Sequence, residues 1–240
     1  MNAYPVNLIP GAALSGNTLS FSDIRNVYHR YMKHRAWFPG VNAVIAMEWK
    51  EPLRMDSFII ADTDYVSMDL TVTFFDNSVI DFHKDLLEDG MEIIEWDDNK
   101  PVKKINLYLY RQKGVNEHYL GYLFAGEKVT LPRFLVEPQW ETEIRGSANR
   151  TNNGQVYGTI LPTLDKFAVE FARVYKDEKK VIDRYIRTVH NSIPHVVDLY
   201  PEAREDFPPR YVTLDSGVAF TKRNEADFWW NFNMEWMEAR

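Results

Sequence analysis

The chain has 240 residues, of which 45% are hydrophobic, 26% charged and 14% aromatic, with a formal net charge of −7. That apolar content can bury a core, while the acidic balance argues against a surface built to grip nucleic acid, which needs Lys and Arg against phosphate. The absence of cysteine excludes disulfides, thiolate metal sites and cysteine nucleophiles, and no run of about 18 apolar residues is present to span a membrane.

The first residues, MNAYPVNLIPGAALSGN, lack a basic start, and Pro5, Asn7 and Pro10 interrupt their apolar positions. They read as an extended arm rather than a signal peptide. A helix is expected over Phe21–Trp37, with Ile24, Val27, Tyr28, Tyr31 and Met32 at helical spacing, Ser20 or Ser22 as cap and Pro39-Gly40 as stop. Strand-like runs follow at Val41–Trp49, Ser57–Ala61 and Tyr65–Phe75. In the last, Met68, Leu70, Val72 and Phe74 alternate with Asp69, Thr71 and Thr73, as on the two faces of a strand. Asn77 or Ser78 then reads as the cap of a short helix with Val79, Phe82, His83, Leu86 and Leu87 on one face and Gly90 at its end.

Further strands are expected at Met91–Trp96, Val102–Arg111, His118–Phe124 and Phe134–Glu143. Arg145–Gln155 is polar and contains Asn153-Gly154, a type I′ hairpin signal, so it reads as a long hairpin arm and the first place a protease would cut. In Lys166–Tyr175, Phe167, Val169 and Phe171 alternate with Ala168, Glu170 and Ala172. The strongest helix is Asp177–Ile193, with Val181, Ile182, Tyr185, Ile186, Val189 and Ile193 on one stripe and Pro194 as its stop. The chain ends in β-type sequence. In ADFWWNFNMEWMEA, Phe228, Trp230, Phe232, Met234 and Trp236 face one way and Trp229, Asn231, Asn233 and Glu235 the other. Such a strand is either central and buried on both sides, or presents one aromatic face to a neighbouring subunit.

Val79-Ile80-Asp81 recurs 102 residues later as Val181-Ile182-Asp183. Either the match is chance, or residues 66–96 and 167–199 are two copies of a strand–helix–strand unit. Chemical signatures are sparse. Asp62-Thr63-Asp64 has the spacing of a metal-binding acid pair, but without a nucleotide-binding βαβ pattern it reads as a solvated turn. His29/His34 and His190/His195 are five apart, not i, i+4, so the histidines read as surface or half-buried residues. No nucleophile elbow or phosphate loop is present, and pairs such as Glu141/Glu143 or Glu235/Glu238 are not distinctive in an acidic chain. No catalytic residue, cofactor or metal is therefore expected.

The run DLTVTFFDNSVIDFHKDLLEDG resembles the centre of a phage tail-tube domain. The second half, with its hairpin Arg145–Leu161, helix Asp177–Ile193 and aromatic strand Phe228–Met237, is similar to the tube-like domain of distal tail and baseplate-hub proteins. The resemblance implies a mainly β fold with a few α-helices, built as tail-tube-like β-sandwich or barrel units each crossed by a helix. Residues 1–20 would be an arm, 21–138 a first β-rich unit with its N-terminal helix, and 139–240 a second. It further implies a structural, non-enzymatic virion component, made in the host cytoplasm. Such a protein forms a homo-oligomeric ring at the tube end, touching tube, hub, fibre or tape-measure proteins. DNA would pass its lumen without specific binding, and no part would insert in a membrane. Trp229, Trp230, Trp236, Tyr4 and Leu8 would then form subunit contacts, and Asp69, Thr71, Thr73 and Glu170 would face the lumen. The alternative is a carbohydrate- or receptor-binding β-sandwich module of a phage tail, which needs an exposed aromatic platform beside a few amides. A hydrolase using scattered carboxylates is a third reading.

Overall fold

The computed structural model describes the chain except residues 20–21, 30–33, 41, 88–89, 98–99, 112–113, 115, 135–136, 144–145, 151–155, 161–163, 216–217, 219, 223–228 and 240. At 146–150, 156–160 and 221–222 only the backbone is described. Two compact units emerge, Tyr4–Lys128 and Met1–Ala3 with Val129–Ala239. The division falls at Lys128 rather than at 138, and the first three residues belong to the second unit.

Strand β1 (Asn2–Tyr4) opens the chain. The first unit then contains β2 (Ala13–Gly16), β3 (Ala36–Pro39), β4 (Ala43–Leu53), β5 (Ser57–Thr63), β6 (Ser67–Phe74), β7 (Val79–Asp85), β8 (Met91–Glu95), β9 (Val102–Tyr110) and β10 (Glu117–Gly126). They form a five-stranded sheet in the order β2-β4-β9-β6-β7 and a four-stranded sheet in the order β3-β10-β5-β8. Period-2 patterning explains why: Ile45 and Met47, Leu70, Val72 and Phe74, and Ile105, Leu107 and Leu109 all point into one core. Phe58, Ile60, Leu120 and Leu123 of the smaller sheet join that core. Each such fully buried side chain contributes about 1.5–3 kcal/mol.

Two expected helices are absent among the described residues of this unit. Residues 79–85 are an edge strand, β7, paired with β6 from Thr73↔Val79 to Ser67↔Asp85. The turn is closed by Asn77 N–H to Phe74 O (3.0 Å) and Phe74 N–H to Ser78 O (3.0 Å), with Asn77 at φ 64. A three-residue loop with its last residue left-handed is a hairpin connection, so Asn77 turns the chain instead of capping a helix. Within the segment 21–37, a 3-10 turn at Ile24–Tyr28 and strand β3 replace the expected helix, while Tyr31, Met32 and Ser20 lie outside the described residues.

The N-terminal arm is not free. Ala3, Tyr4 and Ile9 are fully buried, and Ala13–Gly16 pairs with β4. Tyr4 Oη donates to Glu95 Oε1 at 2.6 Å. Backbone pairing and a few well-placed side chains fix the segment despite its low apolar content.

The second unit contains β11 (Val129–Thr130), β12 (Gln139–Glu143), β13 (Gly146–Arg150), β14 (Val156–Ile160), β15 (Leu164–Tyr175), helix α1 (Lys176–Val189), β16 (His195–Asp198), β17 (Arg210–Leu214), β18 (Thr221–Lys222) and β19 (Trp229–Glu238). Its main sheet runs β11-β1-β16-β17-β19-β15-β12, with β18 beside β19. Ile182, Tyr185 and Val189 of α1 join Phe167, Val169, Phe171, Phe232, Met234 and Trp236 in the core. The helix stops at Val189 rather than Ile193, because His190 takes φ 46, a left-handed conformation. Strands β13 and β14 form the expected hairpin, Gly146↔Ile160 to Arg150↔Val156, while the Asn153-Gly154 turn and Phe228 lie outside the described residues.

The fold is mainly β, as expected, but only the second unit has an α-helix among the described residues. Duplication fails for the same reason: 66–96 is a hairpin followed by a strand of the other sheet, whereas 167–199 is strand–helix–strand.

Candidate functional site

Cross-strand register assembles one surface on the outward face of the five-stranded sheet. Val44, Tyr108, Asp69 and His83 lie in one row across β4, β9, β6 and β7. The next row holds Ala46, Asn106, Thr71 and Asp81, and the row on the other side holds Tyr110, Ser67 and Asp85. The alternating strands send their apolar residues inward, leaving this array facing solvent. Tyr108 is 44% exposed and Tyr110 36%.

Asp69 organises the polar part. Its Oδ2 accepts a hydrogen bond from the Tyr110 hydroxyl, and Nδ1 of His83 lies 2.6 Å from Oδ1. These two hydrogen bonds, Tyr110 first, hold the Asp69 carboxyl below the usual carboxylate range. An ionised carboxylate only accepts, so Nδ1 of His83 carries a ring proton and points it at Asp69. The same contact pushes the Tyr110 phenol up from its ordinary value. Thr71 Oγ1 donates to Asp81 Oδ1 at 2.7 Å. Hydroxyl, carboxylate and imidazole edges thus stand beside two aromatic rings.

Of the residues expected to face a lumen, Asp69, Thr71 and Thr73 share this face, and Glu170 is exposed on β15 of the second unit. Among the residues expected at subunit contacts, Tyr4 and Trp236 are fully buried and Leu8 packs on the first core. Tyr4 and Trp236 thus hold their own units together, while Leu8 stays partly exposed. Trp229 and Trp230 are half-buried. The Asp62-Thr63-Asp64 stretch is the end of β5, not a solvated turn. Asp62 makes a two-pronged ion pair with Arg35 (2.5 and 2.9 Å), and Asp64 accepts from Tyr119 N–H at 2.9 Å and lies 3.1 Å from His118 Nδ1. His118 and His195, expected to be surface or half-buried, are fully buried.

Sequence reasoning passed over Tyr108, Tyr110, Asn106 and His83. The signal for three of them was present, since INLYLY alternates Ile105, Leu107 and Leu109 with Asn106, Tyr108 and Tyr110. His83 was hidden by the helix assigned to its segment.

No protein-family model matches the chain, and no curated protein does. Solved structures give partial likenesses. The lectin domain of lectinolysin, complexed with Lewis B antigen, is 9% identical with a TM-score of 0.43, over 52% of this chain and 98% of that one. The Streptococcus pneumoniae fucose binding module SpX-3 is 12% identical with a TM-score of 0.39, over 50% and 96%. The family 32 carbohydrate-binding module of Clostridium perfringens NanJ, in complex with galactose, is 7% identical with a TM-score of 0.41, over 52% and 98%. These three structures are sugar-binding domains or modules.

Proposed function

We propose that the unit Tyr4–Lys128 is a non-enzymatic saccharide-binding module, with the sugar lying on the outward face of the five-stranded sheet. One observation carries this reading: two exposed tyrosines on β9 stand beside the Asp69–His83 pair, the Asn106 amide and the Thr71–Asp81 pair. The apolar face of a sugar ring buries area against an aromatic ring, and tyrosine offers that area at low entropic cost. Sugar hydroxyls both donate and accept. Carboxylates accept, the Asn106 amide both donates and accepts, and the Nε2 edge of His83 offers a further hydrogen-bonding position. It is this face, and not the likeness to sugar-binding modules, that supports the reading. In the tail-particle setting implied by the sequence resemblance, such a module would hold a host-surface glycan.

Glycan-array screening of the full chain, followed by calorimetry on the best ligand, tests it. Tyr108→Ala and Tyr110→Ala are each expected to weaken binding about tenfold. Unchanged binding by the double variant, with circular dichroism intact, would reject the face.

A further inference from the structure

At the far end of the same face, two register shifts converge on one residue. Between β4 and β9 the pairing passes from Glu48↔Lys104 to Leu53↔Val102, and between β6 and β9 from Thr73↔Lys104 to Phe74↔Val102. Lys103 is therefore the extra residue against β6, while on the other side it is β4 that carries the excess. On its β4 side, four residues, Trp49, Lys50, Glu51 and Pro52, oppose it. A bulge re-aims side chains and opens the sheet, and Pro52 fits there because it needs no ladder donor. The opening is a pocket of about 510 Å³ whose lining includes Lys50, Lys103, Glu48, Pro52 and Phe75.

The chemistry of this pocket differs from that of the tyrosine end. Lys50 and Lys103 are exposed and have no ion-pair partner among the described residues. The lining carries two lysines against one carboxylate, Glu48, which stands opposite Lys104 in the register. Phe75, on the same lining, is 64% exposed and offers an apolar ring. The pocket adjoins the tyrosine array: Lys103 is five residues from Tyr108 along β9, about 16 Å, within the span of a short oligosaccharide.

The geometry points to an anionic saccharide as the ligand, its rings on Tyr108 and Tyr110 and an acidic group between Lys50 and Lys103 with Phe75 beneath that sugar. This rests on the saccharide-binding reading of the sheet face. Carboxylate and sulfate share the required chemistry, and the lysine ammonium groups serve either as point charges.

The test is calorimetry on the full chain at low salt with three probes: trigalacturonate, its methyl ester, and a sulfated galactose trimer. At least one charged trimer is expected to bind about tenfold tighter than the neutral ester, an advantage that added salt erodes. The double variant Lys50→Met and Lys103→Met keeps the alkyl stems and should erase that advantage while leaving the ester's affinity and the melting temperature unchanged. Equal binding of charged and neutral trimers, dependent on the tyrosines, overturns the anionic ligand and leaves the sheet-face reading standing. Charge-dependent binding lost in the lysine variant but indifferent to Tyr108→Ala and Tyr110→Ala keeps the pocket and sinks the sheet face. No binding of any trimer overturns both.

Discussion

Trp236 donates its indole N–H to the hydroxyl oxygen of Tyr185 at 3.0 Å, tying the last strand to the only α-helix among the described residues. Tyr185 Oη lies 2.5 Å from His195 Nε2, and His195 Nδ1 is 3.0 Å from the Ile193 carbonyl. A carbonyl only accepts, so Nδ1 carries the proton, Nε2 accepts from Tyr185, and Tyr185 accepts from Trp236. All three side chains are buried. Tyr185→Phe would strand a buried acceptor and a buried donor at once, so a loss of about 2–3 kcal/mol is expected in urea denaturation. A loss below about 0.5 kcal/mol would mean that the chain of bonds contributes little.

The same histidine sets a pH dependence. Burial drives its pKa from 6.5 down to about 4. The folded state thus holds a neutral ring where the unfolded chain takes up a proton. Stability from this group is complete above the unfolded value and falls as pH drops from about 6.5 to about 4, by roughly 3 kcal/mol in all. Denaturation midpoints across that range check it. His195→Phe should flatten the slope even if it lowers the midpoint everywhere. An unchanged slope would assign the acid sensitivity to other groups.

Gly121 is required by its neighbour. A Cβ there would sit 2.1 Å from Asp62 Oδ2, in the space occupied by the carboxylate that pairs with Arg35. Asp62 itself takes φ 55, so its side chain has little room to retreat. Gly121→Ala is expected to cost about 1–3 kcal/mol. Because the clash is with the carboxylate, Gly121→Ala should cost much less in an Asp62→Gly background. Additive losses in that double-mutant cycle would contradict the contact.

Asn77 decides the β6–β7 hairpin, and its φ of 64 suits glycine at least as well. Asn77→Gly should be neutral or mildly stabilising, whereas Asn77→Val should cost about 1–2 kcal/mol, read from thermal melts. Equal melting of the two variants would deny the turn its left-handed residue.

That hairpin also explains what the sequence could and could not reveal. In β6, alternation of Met68, Leu70, Val72 and Phe74 with Asp69, Thr71 and Thr73 allows only period 2, and the structure follows it. In β7, Ile80 and Phe82 fit period 2, while Val79, Phe82, His83 and Leu86 fit a helix equally well. An edge strand exposes most of its side chains, so burial pattern does not break the tie. Pairing with β6 does, and pairing is not a property of one segment. The site shares this limit: Tyr108 and Tyr110 are legible as outward residues, but their meeting with His83 and the bulge at Lys103 arise from register between strands distant in sequence.

The contact between Tyr110 and Asp69 can be tested by titration. The carboxylate accepts a hydrogen bond from the phenol and so favours the protonated phenol, raising Tyr110 above the ordinary 10, while the donated bonds lower Asp69 below 3.8. For Asp69 the sign is that of a depressed acid: its contribution to stability is present above the unfolded value and is lost as pH falls through the folded one. Replacing the carboxylate by a neutral amide keeps an acceptor but removes the charge. In Asp69→Asn, the ring-carbon NMR signal of Tyr110, assigned by its disappearance in Tyr110→Phe, should titrate at lower pH than in the parent protein. His83 would lose its anionic partner in the same variant, so both sides of the tyrosine platform loosen together. If the face binds saccharide, affinity should stay level through mildly alkaline pH in the parent and begin to fall at lower pH in Asp69→Asn. Identical Tyr110 titration in both proteins would show that the phenol and carboxylate do not share a proton in solution.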